Sequence, residues 1–243
     1  MSARRVEHLS DTVALYRGDC AEILPTLGRF GALIADPPYE FDTSGGGKFR
    51  AARDTLEAIE AHGLSDGFDE KLLSRFRADS VVCFCHNDQL PKLLAWFASQ
   101  FERVVLCAWH KDNPMPVANR HYQPDTEFYI HAWSGHAFPR GALAEKKRYI
   151  FAPVGKSEFA HPTVKPLTIM RKIIANVGPL SICDPFMGTG STGVAAVEAG
   201  RRFVGIEREP KFFEIAVKRV SDALKNAPAT PLAPADEKRG MLL

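Results

Sequence analysis

Two short strings in this sequence carry residue types that could act on a bound ligand. The first is Asp36-Pro37-Pro38-Tyr39, which follows the apolar run 31–35. Proline cannot extend a central strand, so Pro37 and Pro38 stop the strand and stiffen the turn that follows. The turn then holds an acid (Asp36), a carbonyl oxygen without ladder duty (Pro37) and an aromatic ring (Tyr39) at one strand end. Such a set suits a planar ring bearing an exocyclic amine. The lone pair of such an amine is delocalised into its ring. Two acceptors set against its hydrogens hold it toward tetrahedral geometry and localise that pair, and Asp36 with the Pro37 carbonyl can supply them. Tyr39 adds a face for stacking, worth about 1–3 kcal/mol for a base. The plainer alternative is a strand-ending turn in which Asp36 caps a helix.

The second string is Asp184-Pro185-Phe186-Met187-Gly188-Thr189-Gly190-Ser191-Thr192, between an apolar strand and a helix. Gly188 and Gly190 let the backbone pass close to a ligand with no Cβ in the way, and the helix start offers free N–H groups. At the end of the next strand stands Glu207, followed by Arg208. An acid there can accept hydrogen bonds from both ribose hydroxyls of an adenosine cofactor. The glycine spacing is not that of a dinucleotide loop, and no phosphate-cradling Gly-x-x-x-x-Gly-Lys-Ser/Thr occurs, which disfavours a dinucleotide or ATP. The plainer alternative here is a tight strand-to-helix turn with no ligand.

The elements that position these strings are strand-like runs at 13–16, 31–35, 81–85, 103–109, 127–132, 180–183 and 202–206. Helix-like patterns lie at 20–27, 68–77, 88–99, 165–177, 191–199 and 209–225. Alternating strands and helices predict a parallel sheet with helices on both faces, and continuous apolar strands fit burial on both sides. Residues 41–66 and 133–161 read as long loops, which in a compact domain are uncommon unless functional or disordered. The Ala- and Pro-rich stretch from 226 to 243 reads as a disordered tail, leaving 1–225 as one domain.

Composition narrows the class. The chain has 243 residues, 45% hydrophobic and 25% charged, enough for one sizeable core. No apolar run reaches the roughly 20 residues of a membrane span, and the first residues lack the apolar core of a secretory signal. The expectation is a cytoplasmic protein without membrane association. The net charge of +2 neither demands nor excludes nucleic acid. The basic bunches Lys48/Arg50/Arg53, Lys71/Arg75/Arg77 and Lys146-Lys147-Arg148 read individually as solvated faces. Cys20, Cys83, Cys85, Cys107 and Cys183 sit mostly in apolar runs and read as buried free thiols. Cys83 and Cys85 should share a strand face, and with no CxxC or matching His pair no metal site is expected.

The Asp184 string resembles the S-adenosylmethionine loop of DNA amino-methyltransferases. With Asp36-Pro37-Pro38-Tyr39 placed before it, the chain from about residue 13 to 222 resembles the beta class of that family. The resemblance implies a Rossmann-like α/β fold with a mostly parallel seven-stranded sheet, a permuted motif order and S-adenosyl-L-methionine as cofactor. It implies methyl transfer to an exocyclic amine of double-stranded DNA, with Asp36, Pro37, Pro38 and Tyr39 catalytic and the target base flipped from the stack. It also implies cofactor contacts at Asp19, Cys20, Asp36, His161, Thr163, Lys165, Asp184, Pro185, Phe186, Gly188, Gly190, Ser191, Glu207 and Arg208. Leu15-Tyr16-Arg17-Gly18-Asp19-Cys20 resembles the segment whose acid faces the cofactor adenine. His161-Pro162-Thr163-Val164-Lys165-Pro166 resembles the segment covering the methionine end, where Lys165 could pair with the cofactor carboxylate. Trp109-His110-Lys111-Asp112-Asn113-Pro114-Met115-Pro116 resembles a segment that walls the base pocket.

Many members insert a long recognition region before the His-Pro-Thr string. Here 133–160 is short, and 41–66 is the other candidate DNA-contacting loop. That suggests a short recognition site or help from a second subunit, and the resemblance leaves a homodimer open. Enzymes of this kind from phage and mobile elements are similarly compact. Cytosine-N4 members more often carry Ser-Pro-Pro-Tyr, so Asp36 favours the N6 amine of adenine. Methylation of cytosine carbon 5 needs a thiolate nucleophile, and its usual Pro-Cys pair is absent. An RNA or protein target, and a catalytically dead DNA-binding subunit, are the remaining alternatives. The intact Asp36 and Tyr39 disfavour the last.

Overall fold

In the computed structural model the described residues are 5–39, 68, 72, 75, 77–114, 122–154, 164–177 and 181–227. They form one sheet between two layers of helices. In chain order the elements are β1 (Arg5–Ser10), β2 (Val13–Arg17), α1 (Cys20–Ile23), β3 (Phe30–Ala35), β4 (Ala78–Cys85), α2 (Leu90–Gln100), β5 (Arg103–Lys111), β6 (Thr126–Trp133), β7 (Tyr149–Ala152), α3 (Leu167–Val177), β8 (Ile182–Asp184), α4 (Ser191–Glu198), β9 (Phe203–Glu207) and α5 (Pro210–Asn226). The strands lie in the order β1-β2-β9-β8-β3-β4-β6-β5-β7.

The block β2-β9-β8-β3-β4 is wholly parallel. Its sequences show why: Leu33 and Ile34, or Cys83 and Phe84, are neighbours in the chain yet are all buried. Side chains alternate across a strand, so each successive residue enters a different core. Ile34, Phe84 and Trp109 pack with Ile169, Ile173, Phe213 and Val220 under α3, α4 and α5. Leu33, Val81, Cys83 and Ile130 pack with Ile23, Leu93 and Phe97 under α1 and α2. A strand buried on both faces needs apolar residues at every position. All five cysteines are free and buried, and Cys83 and Cys85 share one face.

The sheet has nine strands among the described residues, where seven were expected from the sequence. Both additions are edge strands. β1 forms an antiparallel hairpin with β2, with a register shift between His8 and Ser10. Its residues are half-exposed and mostly polar, so they lack the apolar run that marks a central strand. β7 lies inside the segment 133–161, which reads as loop. It has four residues, of which only Ala152 is buried, and pairs with β5 alone. Trp109 clasps it by donating its indole N–H to the Ala152 carbonyl at 2.8 Å.

Arg140 and Glu145 of that segment are tied down as well. Arg140 N donates to the Asn176 carbonyl at 3.0 Å, and the Glu145 carbonyl accepts from Asn176 Nδ2 at 2.8 Å and from the buried Lys172 ammonium. All of 41–66, and most of the 68–77 helix and of the 226–243 tail, lie outside the described residues. Among the described residues no helix is long and apolar enough to cross a membrane.

Candidate active site

The direction in which successive strands are added reverses between β8 and β3. From β8 the chain moves outward to β9, and from β3 it moves the other way to β4. In an open α/β sheet, ligands collect beyond the carboxyl ends of strands at such a switch point. Leu33 pairs with Cys183 in register, so Asp36 and Asp184 leave adjacent strand ends. A cavity of about 460 Å³ opens there, within the usual range for small-molecule sites.

The lining includes Asp19, Cys20, Asp36, Pro37, Pro38, Tyr39, Lys165, Asp184, Pro185, Phe186, Gly188, Ser191, Glu207 and Arg208, the sequence-expected residues. Three expected positions are not among them. His161 and Thr163 lie outside the described residues. Gly190 is not among the lining residues. Its φ of 84° suits glycine, and a Cβ there would meet Ala216 at 3.1 Å and Val220 at 3.3 Å. Its missing side chain makes room for α5.

The Gly188 half of the cavity is built by backbone. Glu207 ends β9 and accepts from Gly188 N (Oε2, 2.8 Å) and from Glu209 N (Oε1, 2.8 Å). Each oxygen takes one backbone donor and keeps a lone pair. Burial pushes the Glu207 carboxyl up, against these two bonds. Asp184 accepts from Phe186 N at 2.9 Å. Burial raises its carboxyl to about 7, opposed by hydrogen bonds from Thr192 and the Phe186 backbone. From behind, Arg219 of α5 donates to the Thr189 carbonyl at 2.7 Å and its hydroxyl at 2.9 Å. At Gly205 a Cβ would lie 2.2 Å from Met187 Sδ, so the glycine in β9 admits the turn's methionine. Asp19 lines the cavity and also caps α1, accepting from Ala21 N at 2.7 Å.

The Asp36 half is built by side chains. Lys165 Nζ stands 2.8 Å from Asp36 Oδ1 and 2.7 Å from Oδ2. It also lies 3.4 Å from Glu127 Oε2, and Lys111 Nζ holds Glu127 Oε1 at 2.9 Å. Tyr39 donates its hydroxyl to Asp36 Oδ1 at 3.1 Å, with Glu127 Oε2 at 3.4 Å. The Lys165 ammonium sits 5.3 Å from the Tyr39 ring centroid and 4.9 Å from that of Phe84. Such placements add cation–π attraction.

The lysine expected to meet the cofactor carboxylate is therefore found on the Asp36 carboxylate. Burial pulls the Lys165 ammonium down, but Asp36 and Glu127 outweigh it and hold the group charged. Burial pushes Asp36 up against the opposing pull of Lys165. Of the segment expected to wall a base pocket, Lys111 reaches this network, Trp109 is core, and residues 115–116 lie outside the described set. Glu127 and Phe84 carry no local signal in the sequence, and Lys111 carries one only as part of the segment that resembles a base-pocket wall. Antiparallel β6 delivers Glu127, since its first residues pair with the ends of β4 and β5.

This geometry agrees with what the chain resembles. A sequence profile of the DNA methylase family matches residues 32–218, and the chain belongs to that family. It is 30% identical over 248 residues to the type II methyltransferase M2.MboI of Moraxella bovis, covering 87% of this chain and 90% of that one. It is 25% identical over 262 residues to the type II methyltransferase M.HinfI of Haemophilus influenzae, covering 90% and 72%. The M1.HpyAVI–SAM complex superposes with a TM-score of 0.63 at 28% identity, over 85% of this chain and 99% of that one. The PvuII cytosine-N4-specific DNA methyltransferase shares the fold, with a TM-score of 0.62 at 12% identity over 90% and 94%.

Proposed function

We propose that this chain transfers a methyl group from S-adenosyl-L-methionine to the N6 amine of adenine in double-stranded DNA. One observation carries the reading: an acid and an aromatic ring at the end of β3 share a cavity with the carboxylates of Asp184 and Glu207 on neighbouring strand ends. The donor set suits the cofactor. Glu207 has a free lone pair on each oxygen for ribose hydroxyls, and the raised Asp184 carboxyl would become an anion beside a cation. M1.HpyAVI has been solved with the same cofactor.

When bound, S-adenosylmethionine supplies a methyl group activated by its sulfonium. Asp36 and the Pro37 carbonyl accept the two amine hydrogens and localise the nitrogen lone pair. The nitrogen would take that methyl group with the sulfur as leaving group, and Asp36 is placed to receive the proton that the nitrogen would lose. Orientation and fixed charge do most of this work. The base must leave the helix stack to reach Asp36, and Tyr39 offers it a face. The type II relatives favour a place beside a restriction enzyme, and a cytoplasmic setting follows from DNA as substrate.

The test is to incubate the purified chain with unmethylated genomic DNA and methyl-labelled S-adenosylmethionine, then digest the DNA to nucleosides. Labelled N6-methyldeoxyadenosine is the expected product. N4-methyldeoxycytidine would move the specificity to cytosine with the same geometry, and an unlabelled digest would overturn the function.

A further inference from the structure

We propose that Glu127 is a positioning residue, a second anchor that draws Lys165 away from Asp36 when the target amine enters. This inference rests on the function proposed above. Asp36 cannot serve the amine fully while an ammonium sits 2.8 and 2.7 Å from its two oxygens. Charge-assisted bonds of that kind are the strong ones, and they draw off the acceptor strength that an amine needs. Lys165 must therefore yield at least one oxygen.

Among the described residues the surroundings leave it one place to go. Lys165 is buried, and the Tyr39 and Phe84 rings stand against its ammonium. A buried ammonium that lost its only carboxylate would be strongly destabilised. Glu127 Oε2, 3.4 Å away, turns that loss into an exchange of one carboxylate for another. Lys111 fixes the far oxygen of Glu127 at 2.9 Å, so the anchor itself stays in place. The four groups form a row, Lys111–Glu127–Lys165–Asp36, with two cations and two anions. Tyr39 can follow the exchange, because its hydroxyl lies 3.1 Å from Asp36 and 3.4 Å from Glu127. Burial raises the Glu127 carboxyl, but Lys165 and Lys111 outweigh it and keep the group below the ordinary glutamate range. The anchor is an anion at neutral pH.

The decisive variants are Glu127→Gln, Lys165→Met and the two combined, assayed on genomic DNA at saturating cofactor. With its second anchor neutral, Lys165 stays on Asp36, and kcat should fall by about 100-fold, the lower end of the range for loss of one oriented electrostatic group. Cofactor affinity measured by calorimetry should stay within about twofold, because Glu207 and Asp184 are untouched. The double variant should turn over faster than Glu127→Gln alone, since the lysine that blocks Asp36 is gone. A merely structural Glu127 gives no such rescue.

Glu127→Asp keeps the charge but shortens the reach, and its kcat should lie between wild type and Glu127→Gln. It serves alone should the Gln variant fail to fold, and a wild-type kcat for it then overturns the role. Wild-type kcat for Glu127→Gln, or a double variant that loses the product of both single losses, also overturns it. An inactive wild-type chain overturns the proposed function and this role together, whereas an active wild type with an unaffected Glu127→Gln overturns this role alone.

Discussion

The two halves of the cavity hold their carboxylates by opposite means. Asp184 and Glu207 are fixed by backbone donors and by a turn whose residues are close in sequence. Asp36 is held by side chains from three distant segments, through Lys165, Tyr39 and, beyond them, Glu127 and Lys111. A backbone cradle cannot be rearranged without refolding the turn. A side-chain cage can exchange partners in place. The first suits a ligand that must be held still, and the second suits a group whose bonds must change during reaction.

The sharpest way to break this comparison is Asp36→Ala. Methyl transfer should fall by at least about 10³-fold, because the acceptor and the proton's destination go together. Cofactor affinity should change little, as the backbone-built half is untouched. Retained turnover in the nucleoside assay would show that the reacting carboxylate lies elsewhere. Next in size, Glu207→Ala should weaken cofactor binding by about 10- to 100-fold, the worth of one charge-assisted hydrogen-bond set. Equal affinity by calorimetry would remove Glu207 from the ribose.

A smaller effect concerns pH. Burial raises Asp184 from 3.8 to about 7 in the folded chain. The unfolded chain ionises this group at its ordinary value, so the folded state binds more protons between the two. Stability from this group is therefore present below about pH 4 and is lost as pH rises through 7. Binding of the cationic cofactor has the opposite sense, because it favours the anion. Affinity should rise by up to about tenfold from pH 6 to 8, because the ionised fraction of a group titrating near 7 rises about tenfold over that range. Calorimetry on Asp184→Asn should give a flat profile over that range, and a wild-type profile that is already flat would remove the linkage.

The same contrast explains what could be read from the sequence. The β8–turn–α4–β9 unit is contiguous, so the string from Asp184 to Thr192 and the acid Glu207 announced both the turn and its cavity. Asp36 to Tyr39 is equally local. The charged cage is not. Glu127 is an ordinary charged residue before an apolar run, and only the antiparallel placement of β6 between β4 and β5 brings it to Lys165. Lys165 was legible as a site residue, but its partner was not, since the choice between a ligand carboxylate and Asp36 is tertiary. The edge strands β1 and β7 escaped for a related reason: a strand exposed on its flank need not be apolar throughout.

The smallest effect on binding should come from Gly190, a glycine expected at the cofactor and packed closely against α5. Its φ of 84° and the approach of Ala216 and Val220 mean that Gly190→Ala strains the turn and crowds α5. Such strain and overpacking typically amount to about 1–3 kcal/mol, which for a chain of this length lowers the melting temperature by about 2–4 °C per kcal/mol. Cofactor affinity per folded molecule should stay within about twofold, because Gly190 does not line the cavity. Gly188, with a φ of 53° and its N–H on Glu207, provides the contrast. Gly188→Ala should lower affinity as well as melting temperature. If Gly190→Ala loses affinity as steeply as Gly188→Ala, the turn acts as one ligand-binding unit, and the division between packing and binding glycines fails.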